Sequence, residues 1–210
     1  MQKPKLAAQR LFDAHQRREP FTPLPAALAP RTAEEAYAIQ DYFVALRAEQ
    51  LGAVAGYKIA LSSKEMQRFV GVDEPQAGVM LESTLHRTPA KLRAIDYVHL
   101  IVEFEIAVQM AADLPVADAP YTRSSVAPFV QAVMPAIEIA DDRDADYGQL
   151  ARHPLEALAW IANHLAAHGR GLVFRDVVIT GSIITTKTVQ SGDLVKFAVE
   201  QLGDVELRVD

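Results

Sequence analysis

The chain has 210 residues, half of them hydrophobic, with 27 Asp+Glu against 21 Lys+Arg and a net charge of −6. That size and apolar content support one sizeable core, and an acidic chain without a basic cluster is not built for nucleic acid. With no cysteine, disulfides, thiolate catalysis and cysteine-bound metal centres are excluded. No run approaches the ~20 apolar residues of a membrane span, and MQKPKLAAQRLFDAHQRREP lacks a signal-peptide core, so a cytoplasmic location is expected.

In chain order, residues 4–18 read as a charged helix with Leu6, Leu11 and Phe12 on its apolar side. EPFTPLPAALAP carries four prolines and reads as an extended connector. A second helix follows, opened by a capping box of Thr32 and Glu35, with Ala36, Ile39, Phe43 and Leu46 at helical spacing. VAGYKIAL reads as a strand. SSKEMQRFVG reads as a short helix with Ser62 and Glu65 as a second capping box and Gly71 as its stop.

From about residue 98 strands dominate. VHLIVEFEIAVQM is the longest, SSVAPFVQAVM favours helix, and PAIEIADD is a short strand. HPLEALAWIANHLAAHG has the clearest helical signature, with Pro154 in its first turn, a Leu158/Ile161/Leu165 stripe and Gly169 at its end. DVVITGS is a strand running into a glycine turn. LVKFAVEQLGDVELRVD is a hairpin turning at Leu202, Gly203 and Asp204. The expected fold class is α+β: a helical N-terminal region over 1–55 and a mixed β-rich core with flanking helices over 56–210.

The strand IVEFEIAV poses the functional question. Strand alternation puts Val102, Phe104, Ile106 and Val108 on one face and Glu103 and Glu105 on the other. Two carboxylates roughly 7 Å apart, from the strand rise, cost free energy unless water or a positive charge intervenes. In MPAIEIADD, Glu138 likewise projects from the face opposite Val133, Pro135, Ile137 and Ile139. Hard divalent cations take carboxylate oxygens and keep positions open for substrate, so Glu103, Glu105 and Glu138 are candidate ligands for Mg²⁺ or Mn²⁺. The competing reading is a solvated strand face.

Taken in order, GYKIALSSKEMQRFVGVDEPQAGVML, VEFEIAV, MPAIEIADDRD, HPLEALAWIANHLA, VVITGS and SGDLVKFAVEQLGDVELRV resemble the hydratase/decarboxylase branch of the fumarylacetoacetate hydrolase superfamily, which includes 2-keto-4-pentenoate (2-hydroxypentadienoate) hydratase and 4-oxalocrotonate decarboxylase. The likeness runs from about residue 32 to the end. It implies a β-roll core, homo-oligomeric assembly and association with a related decarboxylase. It assigns the metal ligands to Glu103, Glu105 and Glu138 and the active-site lysine to Lys58. It sets Leu61, Gln76, Thr180 and Ser182 beside the substrate. Two departures stand out. Relatives carry a longer segment where this chain has only IADDRDADYGQLAR, so the interval 140–153 reads as shortened. Gln76 occupies a position where many hydratases have an aspartate.

The resemblance implies a metal-dependent hydratase that adds water to a 2-hydroxy-2,4-dienoate or its 2-oxo tautomer. A metal chelates the substrate's carboxylate and 2-oxygen, and a general acid or base moves a proton. Lys58 is the candidate for that charge or proton role, with a pKa expected to fall beside a metal. Alternatively, it simply pairs with a carboxylate. Decarboxylation of a 2-oxo-3-enedioate, C–C hydrolysis of an acylpyruvate, and a non-catalytic shortened paralogue that assembles with an active enzyme are the alternatives. His99 could share the ligand face. His164 and His168, spaced i, i+4, suit a metal pair or a solvent face. Trp160 reads as packing and DDRDAD as a solvated loop.

Overall fold

The structure is a computed structural model, and it describes residues 2–61, 74–143, 154–182 and 186–210. Two N-terminal helices, α1 (Gln2–Gln16) and α2 (Ala33–Leu51), pack through Ala7, Ala8 and Ile39. Thr32 caps α2 by accepting from the Glu35 backbone N–H. The expected reciprocal bond is replaced: the Glu35 carboxylate takes the Arg31 N–H and the Lys3 ammonium instead.

The larger sheet contains β1 (Val54–Ala60), β2 (Gln76–Leu81), β4 (Leu100–Met110), β5 (Val130–Asp141) and β6 (Val177–Ile179), in the order β2-β1-β6-β4-β5. The short β7 (Lys187–Thr188) also pairs with β4. Only β1 and β6 run parallel; the other pairs are antiparallel. A second sheet has the order β3 (Ala90–Leu92), β9 (Gly203–Val209), β8 (Leu194–Val199). At Gly56, where β1 is bulged, φ is +158° and a Cβ would stand 1.9 Å from the Val177 carbonyl oxygen. Only glycine permits that approach of β1 to β6.

One face of the larger sheet carries the core. Tyr57, Ile59, Val108, Met110 and Val178 pack against helix α4 (Pro154–Ala167) through Leu158, Ile161 and Leu165. Further along the same face, Leu100, Val102 and Phe104 meet Leu92, Leu207 and Val209 of the second sheet. Trp160 packs against the α4 core, as expected. The exposed edge of β2 is closed by α2: Tyr37 Oη accepts from the Ala77 N–H and Gln40 Nε2 donates to the Ala77 carbonyl.

Strands β2 and β3 were not anticipated. The expected helix over SSVAPFVQAVM is also corrected. Helix α3 covers only Arg123–Val126, a 3-10 turn follows over Ala127–Phe129, and the chain is strand from Val130. Pro128 breaks the helical pattern, and the β-branched tail gains a full ladder against β4. The helix expected over SSKEMQRFVG, His153 and most of the short 140–153 interval lie outside the described residues. Asp141 and Asp142 are not solvated loop residues. Asp141 is the last residue of β5 and its carboxylate accepts the Val98 and His99 backbone N–H groups.

Candidate active site

The face of the larger sheet opposite the core carries the acidic residues. Antiparallel register sets Glu103 of β4 directly opposite Glu138 of β5, and Glu105 opposite Ala136. Directly paired residues project to the same side. The three glutamates therefore converge, and one carboxylate oxygen from each lies within 4.8 Å of the others. Among the described residues this is the one group of three or more His, Asp or Glu with such geometry.

Each carboxylate is held differently. Glu105 is 1% exposed and accepts the Gly181 backbone N–H at 2.9 Å. Glu103 accepts the Thr186 hydroxyl at 2.7 Å. Glu138 takes the Lys58 ammonium at 2.5 Å with 11% of its side chain accessible. Burial pushes the Glu105 carboxyl well above the usual range, the Glu138 charge pushes further, and the Gly181 N–H only partly offsets both.

Lys58 keeps 39% of its side-chain surface accessible while its ammonium lies among the carboxylates. A lowered pKa is expected beside a metal; toward the glutamates alone the shift runs upward. The Glu138 charge leads, Glu103 and Glu105 add to it, and together they outweigh burial and hold Lys58 protonated. The charge count explains the sign: one ammonium faces three carboxylates. A donor set made entirely of carboxylate oxygens, with negative charge in excess, fits a hard divalent cation. The structure thus joins two features of these residues: Lys58 is paired with a carboxylate, and that carboxylate belongs to the cluster of three glutamates.

The remaining candidate residues are placed with differing directness. Thr180 is fully buried and its hydroxyl donates to the Ile106 carbonyl, so it fixes the turn that presents Gly181 to Glu105. Ser182 follows in the same turn. Gln76 lies opposite Ala60 in the β1/β2 register, on the same face as Lys58 and its partner Gly78. Its amide donates to the Glu74 carbonyl at 3.3 Å. Leu61 follows β1 with φ of +55°. The rings of His164 and His168 make tilted contacts with each other and with Tyr37, and His164 stacks on Trp160.

Sequence reasoning missed three supports. Thr186 was not singled out, although the T-x-T spacing of Thr186 and Thr188 matches an edge strand with both hydroxyls on one side. The Gly181 N–H leaves no side-chain signal. Gly78 is glycine because a Cβ there would stand 2.7 Å from Lys58 Cγ.

No protein-family model matches the chain. A 2-hydroxyhexa-2,4-dienoate hydratase from Comamonas testosteroni is 25% identical over 252 residues, covering 95% of each chain. That alignment is longer than this chain of 210 residues, so the relative carries segments that this chain lacks. In fold, a 4-oxalocrotonate decarboxylase from Pseudomonas putida G7, complexed with magnesium and adipate, superimposes with a TM-score of 0.85 at 19% identity, covering 99% of this chain and 97% of that one. A fumarylacetoacetate hydrolase family protein from Yersinia pestis CO92 matches 73% of this chain and 92% of its own with a TM-score of 0.54 at 15% identity. In sequence the chain is similar to a 2-hydroxydienoate hydratase over nearly its whole length, and it shares its fold with a 4-oxalocrotonate decarboxylase, the likeness expected from the hydratase/decarboxylase branch of the fumarylacetoacetate hydrolase superfamily.

Proposed function

We propose that the protein is a divalent-metal-dependent lyase that adds water to a 2-hydroxy-2,4-dienoate, reacting as its 2-oxo tautomer, of the kind formed in aromatic catabolism. The observation that carries this reading is the Glu103/Glu105/Glu138 cluster closed by Lys58, in a chain aligned with a hydratase over 95% of its length. Glu103, Glu105 and Glu138 would hold Mg²⁺ or Mn²⁺. When bound, the ion supplies a Lewis acid and a template for a carboxylate and a neighbouring oxygen.

The chain's own residues do the rest. Lys58 Nζ, kept protonated by the glutamates, offers a positive charge and a proton where negative charge builds up on the substrate's 2-oxygen. Thr186 and Gly181 fix the rotamers of Glu103 and Glu105, so the ligand set is organised before substrate arrives. Leu61, Gln76 and Ser182 would line the substrate, with Thr180 holding the turn. Gln76 cannot act as a carboxylate base, so the proton moved at the far carbon needs another carrier, water included.

The test is the decay of dienol absorbance of 2-hydroxypenta-2,4-dienoate with Mg²⁺ or Mn²⁺. Wild type should turn over, chelator should stop it, and Glu103→Gln should lower kcat/KM by at least ~100-fold, roughly 2.7 kcal/mol of transition-state stabilisation. Full activity in chelator would overturn the reading. The fold likeness to a decarboxylase supports a second reading, measured by CO₂ release from 4-oxalocrotonate. Light scattering of the purified protein, alone and with a related decarboxylase, tests the homo-oligomer and the mixed complex.

A further inference from the structure

A cavity of about 140 Å³ lies on the core side of the larger sheet, between β1, β2, α2 and the end of α4. Tyr57 of β1 and Ala77 and Val79 of β2 line it from the sheet, Tyr37 from α2 and Leu165 from α4. Tyr57 pairs with Val79 and Lys58 with Gly78, so strand alternation sends Lys58 and the glutamates to the opposite face. Asp41 and Arg170 also border the cavity, and with 47% and 49% of their side chains accessible they mark its mouth.

Tyr57 is 8% exposed, and its hydroxyl has no hydrogen-bond partner among the described residues. A buried polar group without a partner is rare and calls for a reason. Every fully enclosed side-chain nitrogen or oxygen of the described residues does have a partner. The Tyr57 oxygen therefore reaches accessible space, and the space that Tyr57 borders is this cavity. Burial, with the charge of Asp176, raises the pKa of the phenol group, so it stays protonated and offers an O–H. The other polar groups are committed. Tyr37 Oη accepts the Ala77 N–H, and Arg170 donates twice to the Asp41 carboxylate, at 2.9 and 2.8 Å. An anion would have to compete with Asp41 for that guanidinium. The rest of the lining that Ala77, Val79, Leu165 and the Tyr37 ring provide is apolar.

We propose that this cavity is a second binding site, separate from the glutamate cluster, for a small neutral ring that carries a hydroxyl group: a ligand of the phenol class. The ring fills the apolar part of the cavity, and its oxygen accepts from the Tyr57 O–H. One six-membered ring suits the volume, since an apolar protein cavity of ~150 Å³ takes up benzene. A ligand here touches Ala77 and Val79, which flank Gly78, and Tyr57, which precedes Lys58. It therefore rests on the back of the two strands that place the lysine, without meeting the carboxylates. The inference does not depend on the proposed function.

Binding of phenol, toluene and benzoate to the whole chain is measured by ligand-observed NMR titration, for wild type, Tyr57→Phe, Val79→Phe and Glu103→Gln. Wild type should bind phenol saturably and at least ~5-fold tighter than toluene or benzoate, the size of one net hydrogen bond. Tyr57→Phe keeps the ring in the core and should remove the preference for phenol while binding toluene within about 2-fold of wild type. Val79→Phe fills the cavity and should weaken phenol at least ~10-fold. Glu103→Gln should bind phenol within about 2-fold of wild type, because the carboxylates lie on the other face. No saturable phenol binding, equal binding of phenol and toluene by wild type, or a preference that survives Tyr57→Phe overturns the site. Tighter binding of benzoate overturns the neutral ligand class, and loss of phenol binding in Glu103→Gln would put the ligand at the glutamates instead. Far-UV circular dichroism of each variant establishes that lost binding is not lost folding, and Tyr57→Phe decides the matter even where Val79→Phe does not fold.

Discussion

Lys58 Nζ lies 2.5 Å from Glu138 Oε1, although the strands that carry them are three steps apart in the sheet, with β6 and β4 between. At ~4.8 Å per strand a flat sheet would hold the two backbones ~14 Å apart. Two long side chains cross that distance over the short β6, which ends at Ile179 and turns away at Thr180 and Gly181. The pair therefore depends on empty space beside Lys58, and Gly78 provides it. Gly78→Ala would set a Cβ 2.7 Å from Lys58 Cγ and swing the lysine off Glu138. The expected outcome is a fall in kcat of at least ~10-fold, with a stability cost of ~1–3 kcal/mol from overpacking. Turnover and urea midpoint, measured beside Lys58→Met, check it. Wild-type kcat in Gly78→Ala would show that the lysine has room without the glycine.

Glu105 is buried between like charges and held above its usual pKa by that burial and by Glu138. Glu105→Gln keeps the shape and the acceptor for Gly181 N–H while removing the charge. Without added metal the variant should be more stable than wild type by ~1 kcal/mol, a Tm rise of ~2–4 °C for a chain of this length. Added Mg²⁺ or Mn²⁺ should then stabilise wild type and leave the variant unchanged. Thermal melts with and without the cation measure both effects. A variant stabilised as much as wild type would remove Glu105 from the ligand set.

The parts of this architecture that announce themselves in the sequence are those set by periodicity. The alternation around Glu103 and Glu105, the Leu158/Ile161/Leu165 stripe, the strand holding Lys58 and the C-terminal hairpin all appear where their patterns put them. The parts that do not are set by partners distant in the chain. Strand β2, QAGVML, has too little alternation of its own and exists by pairing with β1. The helix-like SSVAPFVQAVM becomes strand because β4 offers it a ladder. The same holds within the site. Glutamate spacing reveals which residues share a face, but not that a single lysine faces three carboxylates. That charge imbalance raises the Lys58 pKa. Asp142 looked like a loop aspartate because its partner, His99, lies 43 residues away.

Thr186 donates to Glu103 Oε1 at 2.7 Å and belongs to the short edge segment leading into β7. Thr186→Val keeps the β-branched shape and removes the hydroxyl. Metal affinity should weaken by ~10–100-fold, the usual cost of losing a group that orients a ligand. Stability without metal should move by less than ~1 kcal/mol, because Glu103 is only partly buried and water can replace the hydroxyl. Calorimetric titration with Mn²⁺ measures the affinity. Unchanged affinity would mean that Glu103 needs no outer partner to be held.

His15 provides a pH test remote from the site. It sits in the α1/α2 contact with its ring 5.1 Å from that of Phe43. Burial, then the charges of Arg143 and Arg47, lower its pKa from 6.5 to about 4. The folded protein therefore keeps His15 neutral where the unfolded chain takes up a proton. Stability attached to His15 is whole above pH ~6.5, erodes as pH falls through the unfolded value, and is gone by about pH 4. Allowing for solvent screening at a partly exposed ring, the loss is on the order of 1–2 kcal/mol. Urea unfolding of wild type and His15→Gln at about pH 7 and about pH 4.5 isolates it from the carboxylates, which titrate in both. Wild type should lose ~1–2 kcal/mol more than the variant over that interval. Parallel losses would mean that the His15 ring is as open to a proton in the folded protein as in the unfolded chain.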